Sequence, residues 1–169
     1  NIDLKKIDII IHPESLIHAI VELKNGLYKF IYHETTMLIP LANAIFEDNL
    51  DINLFLKNKL QTTKGIFFKN LNFQSVNKKK FPIIKLKSRL NEYYSTPIIV
   101  NAVNEILVDQ FLKKKIPFTS FYGYILKVLD DRNYKKYAIK QSKNINQIFE
   151  IDEWSRRITL EKIYENKNL

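Results

Sequence analysis

Apolar and polar positions divide the chain into two textures. Ile7 to Ile11 is a β-branched run closed by His12-Pro13, and it predicts a buried strand. From Ile17 the pattern alternates loosely. Ile17, Ala19, Val21 and Leu23 share one side, and His18, Ile20, Glu22 and Lys24 the other. Asn25-Gly26 follows, then Leu27 to Tyr32. Asn-Gly between two such runs predicts a hairpin over 16–33 through a type I′ turn, whose central residues both take positive φ. A helix over 15–24 is the competing reading. Pro40 to Phe46 suits a short helix with Pro in its first turn. Residues 49–80 are poorly patterned, with short extended pieces suggested at Phe67-Phe68 and Leu71-Asn72-Phe73.

After Phe81 the period becomes helical. Pro82 opens a segment with Ile83, Leu86 and Leu90 in register. Thr96-Pro97 reads as an N-cap followed by Pro at the first helical position. Ile99, Ala102, Val103, Ile106 and Leu107 then fall at i, i+3, i+4, i+7 and i+8, which predicts an amphipathic helix to about Lys114. Pro117-Phe118-Thr119 marks the next start, continued by Tyr122, Ile125, Leu126 and Leu129. A last helix is expected from about Asp152 to Glu165, with Trp154 and Ile158 inward. The expected class is α+β: a strand and hairpin, then a three- to four-helix bundle. The expected divisions are 1–48, a connection over 49–80, and a bundle over 81–169.

Composition narrows the picture. Of 169 residues, 46% are hydrophobic, enough for a buried core. There is no cysteine, so disulfides and cysteine-held zinc are excluded. No apolar run approaches the roughly 20 residues that a membrane-crossing helix needs. The chain does not begin with Met, and its only Met is Met37; it reads as a piece of something longer. A net charge of +9 suits an anionic partner. It equally suits a lysine-rich solvated surface, with Lys78-Lys79-Lys80 and Lys113-Lys114-Lys115 at segment boundaries. Gly26, Gly65 and Gly123 stand alone, so no clustered-glycine phosphate loop is present.

Two of three histidines, His12 and His18, lie in "HPESLIH". Their spacing of six misses the i, i+4 pattern that puts two rings on one helix face. A Ser15–His18 dyad would need an orienting acid and an oxyanion hole that cannot be named. Two readings stay open: a pocket wall in which Ser15 and His18 bond a polar ligand, or an exposed His beside a turn-capping Ser. Asn101, Asn104 and Glu105 form a polar strip suited to tying helices together.

Five segments in order carry a resemblance. "IDIIIHPESLIHAIVELKNGLYKF" resembles the strand-and-hairpin segment of 1-deoxy-D-xylulose 5-phosphate reductoisomerases, which reads HPQS, then IH, then a hairpin. "TMLIPLANAI" is similar to the family's Asp-Met-Arg-x-Pro-Ile segment, and "FPIIKL" to its Phe/Tyr-Pro-x-Leu-Lys-Leu. "NAVNEILVDQFLKKKIPFTSF" resembles its Asn-Ala-Ala-Asn-Glu helix and the basic stretch beyond, and "EIDEWSRR" its final helix. The departures are Glu14 for Gln, Thr35-Thr36 for Pro-Asp, Leu38 for Arg, and Val103 for Ala.

The resemblance implies the end of the catalytic domain followed by the C-terminal helical bundle. The parent enzyme would rearrange 1-deoxy-D-xylulose 5-phosphate and reduce the aldehyde intermediate, giving 2-C-methyl-D-erythritol 4-phosphate for isoprenoid synthesis. Its cofactors would be NADPH and a divalent metal (Mg, Mn or Co). It would be a cytoplasmic homodimer, paired through the hairpin sheet, with no nucleic-acid or membrane partner. The family's NADPH loop and acidic metal ligands have no counterpart here, so the chain alone is expected to be inactive and to bind neither group. Ser15, His18 and Met37 match substrate-binding positions, whereas Asn101 and Glu105 match structural ones. The rival expectation is a basic α+β nucleic-acid-binding or scaffold module.

Overall fold

The helical period is realised where apolar residues recur every three or four positions. In the computed structural model, which describes residues 3–33, 35–47 and 71–165, helix α2 spans Thr96–Leu112. Its inner stripe of Ile99, Ala102, Val103 and Leu107 has no solvent exposure. Helix α3, Phe121–Leu129, buries Phe121, Ile125, Val128 and Leu129. A short α4, Tyr134–Ala138, contributes Tyr134 and Ala138. Helix α5, Ile145–Glu165, closes the core with Ile151, Trp154, Ile158 and Ile163. A side chain such as Leu107, removed entirely from water, contributes about 1.5–3 kcal/mol by its burial alone.

Several polar groups inside this core are paired. Ser155 and Thr159 hydroxyls donate to the carbonyls of Ile151 and Ser155, each at 2.6 Å. Thr96 Oγ1 and the Tyr134 hydroxyl lie 2.7 Å apart. That use of Thr96 shifts the expected cap. Ser95 is the N-cap, Thr96 the first helical residue and Pro97 the second. Pro82–Ser88 is a 3₁₀ helix, and Phe118–Ser120 forms a 3₁₀ turn that runs directly into α3. The end of α2 falls two residues short of the expected Lys114. There Lys114 takes φ +57°, its N–H bonds Phe111 O at 2.8 Å, and Lys115 N–H bonds Gln110 O at 2.9 Å. This left-handed cap closes the helix and occupies part of the lysine run. Lys113 pairs with Asp109 at 2.7 Å.

The chain divides into two units. One holds the segment to Ile7 and residues Asn77–Leu169; the other is Asp8–Val76. In the first, Leu4–Lys6 forms a 3₁₀ turn capped by Asp3, and Lys87 Nζ donates to the Ile7 carbonyl. In the second, strand β1 is only Ile10–Ile11, paired antiparallel with β4, Gln74–Ser75. The expected buried strand over Ile7 to Ile11 is therefore corrected. Ile7, Ile9 and Ile10 are 42–48% exposed, because a two-residue ladder has only one neighbour and little to cover its faces. The extended piece expected at Leu71 to Phe73 falls one step later, on β4. Phe67-Phe68 lies outside the described residues.

The hairpin forms, and the competing helix does not. Strand β2, Ile17–Glu22, pairs with β3, Tyr28–Tyr32. Its turn differs from the expected type I′. Gly26 N–H bonds Leu23 O at 3.0 Å and Leu23 N–H bonds Leu27 O at 2.8 Å. Gly26 alone takes positive φ, +81°. This is a type I turn closed by a left-handed glycine, the three-residue hairpin loop. Asn25 Oδ1 accepts from Leu27 N–H at 3.1 Å, and Asn25 keeps the ordinary negative φ. Helix α1, Leu38–Phe46, follows with Pro40 in its first turn.

Candidate functional site

The "HPES" stretch is a tight turn. Ser15 N–H bonds His12 O at 3.0 Å, and Ser15 takes φ +52°, an unusual conformation for a residue with a Cβ. The turn is clamped to the segment before β4. His12 Nδ1 lies 2.8 Å from Asn72 O and 3.0 Å from Glu14 Oε2. The His12 ring stacks on Phe73 with centroids 4.9 Å apart. Glu14 accepts from Asn72 N–H at 3.2 Å and also from the Asn72 side-chain amide. That amide bond is the first reason the Glu14 carboxyl sits below its ordinary pKa. His12 is a buried structural histidine, its side chain 6% exposed. Glu14 offers two acceptor oxygens to Asn72.

His18 has a different setting. The ladder pairs Ile17 with Tyr32 and Ala19 with Ile31, so His18 is the extra residue of a β-bulge. Bulges re-aim a side chain out of the regular alternation. The ring stacks face to face on His33, with centroids 3.7 Å apart and planes 11° from parallel. His18 Nε2 lies 3.3 Å from the His33 carbonyl oxygen. Ser15 Oγ makes no hydrogen bond to His18 among the described residues, so the Ser–His dyad is not formed. Ser15 and His18 are both exposed. Met37 is the residue preceding α1 and is 69% exposed. Thr36 Oγ1 accepts from Leu38 N–H at 3.3 Å.

Sequence reasoning missed Asn72 and His33. Neither has a local signal: Asn72 lies 58 residues from Glu14, and His33 meets His18 only because of the bulge. Of the polar strip on α2, Glu105 reaches another helix. Asn101 Nδ2 donates to Glu105 Oε1 at 3.1 Å, and Arg156 of α5 bonds both Glu105 and Asp152. Arg156 holds the Glu105 carboxyl below its usual range. Among the described residues, no group of three or more His, Asp or Glu side chains is placed to hold a metal ion, and no helix is long and apolar enough to cross a membrane.

Comparison with known proteins agrees with the geometry. The model of the family described as the DXP reductoisomerase C-terminal domain matches residues 34–158. A 1-deoxy-D-xylulose 5-phosphate reductoisomerase of Pelagibacter ubique is 32% identical over 91% of this chain and 39% of its own length. One from the Wolbachia of Drosophila simulans is 36% identical over 99% of this chain and 41% of its own. A solved structure of a DOX-P reductoisomerase with fosmidomycin and magnesium is 25% identical, with a TM-score of 0.77, over 94% of this chain and 40% of that one. The chain spans about two fifths of the length of these relatives. With a family match over most of its residues and a shared fold, the chain belongs to the DXP reductoisomerase C-terminal domain family.

Proposed function

We propose that the protein carrying this chain is a 1-deoxy-D-xylulose 5-phosphate reductoisomerase. It isomerises that sugar phosphate and reduces the intermediate with NADPH to 2-C-methyl-D-erythritol 4-phosphate. The observation that carries this reading is the co-linear match to reductoisomerases, which runs through the hairpin as well as the helices. The described residues do not themselves fit the two cofactors. They hold no cluster of metal ligands, and Gly26 and Gly123 are isolated. The metal and the NADPH loop are assigned to the parts of the relatives outside this chain.

Within this reading the chain supplies one wall of the substrate pocket. Ser15 offers an exposed hydroxyl on a strained turn, His18 an exposed imidazole on a bulge, and Met37 an apolar contact ahead of α1. The first two suit the hydroxyl and phosphoryl oxygens of a ketose phosphate; the third suits a flat or apolar surface. The helical unit holds the architecture. The exposed apolar side chains of the hairpin, including Phe30, Ile31 and Val21, support a second reading of that sheet as the homodimer seam. The compartment proposed is the cytoplasm.

The test is reconstitution. This chain is mixed with a separately produced N-terminal portion that supplies the NADPH domain and acidic ligands, and NADPH absorbance is followed with substrate and Mn²⁺. Oxidation in the mixture, and in neither half alone, is expected. His18→Ala should lower kcat/KM by roughly ten- to a hundredfold, the worth of a lost hydrogen bond at a reacting substrate. A full-length protein without turnover would overturn the assignment.

A further inference from the structure

We propose that His33 is a positioning residue for His18, holding its imidazole in one orientation and one tautomer. The inference rests on the reductoisomerase reading of His18 and names what prepares that side chain for substrate.

Three observations converge. The bulge frees His18 from the regular ladder, so the ladder alone does not fix its direction. The His33 ring lies flat against it at 3.7 Å and 11°, which restricts rotation of the His18 ring. The His33 carbonyl lies 3.3 Å from His18 Nε2. A carbonyl oxygen only accepts, so that contact places the proton of neutral His18 on Nε2. Nδ1 is then the unprotonated nitrogen. It has no hydrogen-bond partner among the described residues, and the side chain is exposed. Nδ1 is the atom presented to a ligand, as an acceptor for a hydroxyl of the sugar phosphate.

The backbone bond that ends the ladder at this point runs from His33 N–H to Leu16 O at 3.1 Å, and any residue but proline supplies it. Changing the ring leaves that backbone bond in place. A flat, non-titrating ring should replace it, and a methyl group should not.

The test uses full-length protein with ¹⁵N-labelled histidine, and His18 assigned by loss of its signals in His18→Gln. In the wild type, His18 should show a protonated Nε2 and an unprotonated Nδ1. His33→Ala should move both signals toward the averaged values of a free imidazole, and His33→Phe should restore the wild-type pattern. In steady-state assays His33→Ala should lower kcat about tenfold, a loss of orientation, with KM little changed, and His33→Phe should return to within about twofold. Hairpin amide shifts in all three proteins should show an intact ladder. An averaged or Nδ1-protonated His18 in the wild type overturns the proposal, as does His33→Ala behaving like the wild type. Wild-type protein with the expected spectrum but no turnover overturns the reductoisomerase reading and leaves the histidine pairing standing.

Discussion

Tyr137 lies flat against Trp154, ring centroids 4.4 Å apart and planes 13° from parallel. The contact joins the short α4 to the middle of α5. Trp154 is the chain's only tryptophan and is 4% exposed, so its fluorescence reports on this part of the core. Tyr137→Ala should red-shift the emission and lower stability by roughly 1–3 kcal/mol. Trp154→Ala should cost about 3–5 kcal/mol. Urea unfolding followed by circular dichroism gives both values. An unshifted emission in Tyr137→Ala would mean that the rings do not stack in solution.

The Glu105–Arg156 pair predicts a pH dependence with a definite sign. Arg156 holds the Glu105 carboxyl below its ordinary pKa, so the folded state binds that proton more weakly than the unfolded one. The stabilisation is therefore present above the ordinary carboxylate range and is lost as pH falls through the depressed folded value. Glu105→Gln should melt below the wild type at neutral pH. The gap should close as the melts are repeated at increasingly acidic pH. A gap that stays constant would assign the loss to something other than the charge.

Lys114 occupies a conformation that glycine adopts at no cost. At φ +57° it caps α2 in a position where glycine is the usual residue. Lys114→Gly should raise stability by roughly 0.5–1 kcal/mol, the relief of left-handed strain less the added freedom of the unfolded chain. Thermal melts decide it, and a lower melting temperature would show that the lysine side chain contributes more than its backbone strain removes.

Gly26 is the opposite case. No atom lies within 4 Å of where its Cβ would stand, so space does not forbid a side chain. Its φ of +81° does. Gly26→Ala should weaken the hairpin by about 1–2 kcal/mol, seen as faster amide exchange across the Ile20–Phe30 rung. Unchanged exchange would mean that the loop reaches another conformation freely.

The helical half was legible because its inner stripe repeats at the period of the helix itself. Ile99, Ala102, Val103, Ile106 and Leu107 share a single face, and all of them pack inward except for the half-buried Ile106. Helix α5 was cut short by the same logic. Its first residues, Ile145, Ile148 and Phe149, are 40–63% exposed, so no inner stripe announces them. The available signal was a capping pattern. Asn144 Oδ1 accepts from Gln147 N–H at 3.0 Å, and Gln147 Oε1 from Lys143 N–H at 2.8 Å, an Asn-x-x-Gln start.

The strand half was less legible. The hairpin follows from Asn25-Gly26, but the β1–β4 pairing joins segments more than 60 positions apart with only two residues each. Met37 came from resemblance alone, and the residues around Ser15 and His18 left a pocket wall as only one of two open readings. The spacing of His12 and His18 could not reveal that one ring is buried in a clamp and the other is set out on a bulge.

The chain leaves the helical unit after Ile7 and rejoins it at Asn77. The strand unit is in this sense an insertion, since the chain at both of its ends belongs to the other unit. A terminal tail frays from its tip, one residue at a time. A loop with fixed roots gives back less chain entropy when it opens, and it has no tip from which to begin. The β1–β4 seam lies just inside those roots. The two stacked histidines are carried on a stretch of chain that has no free end.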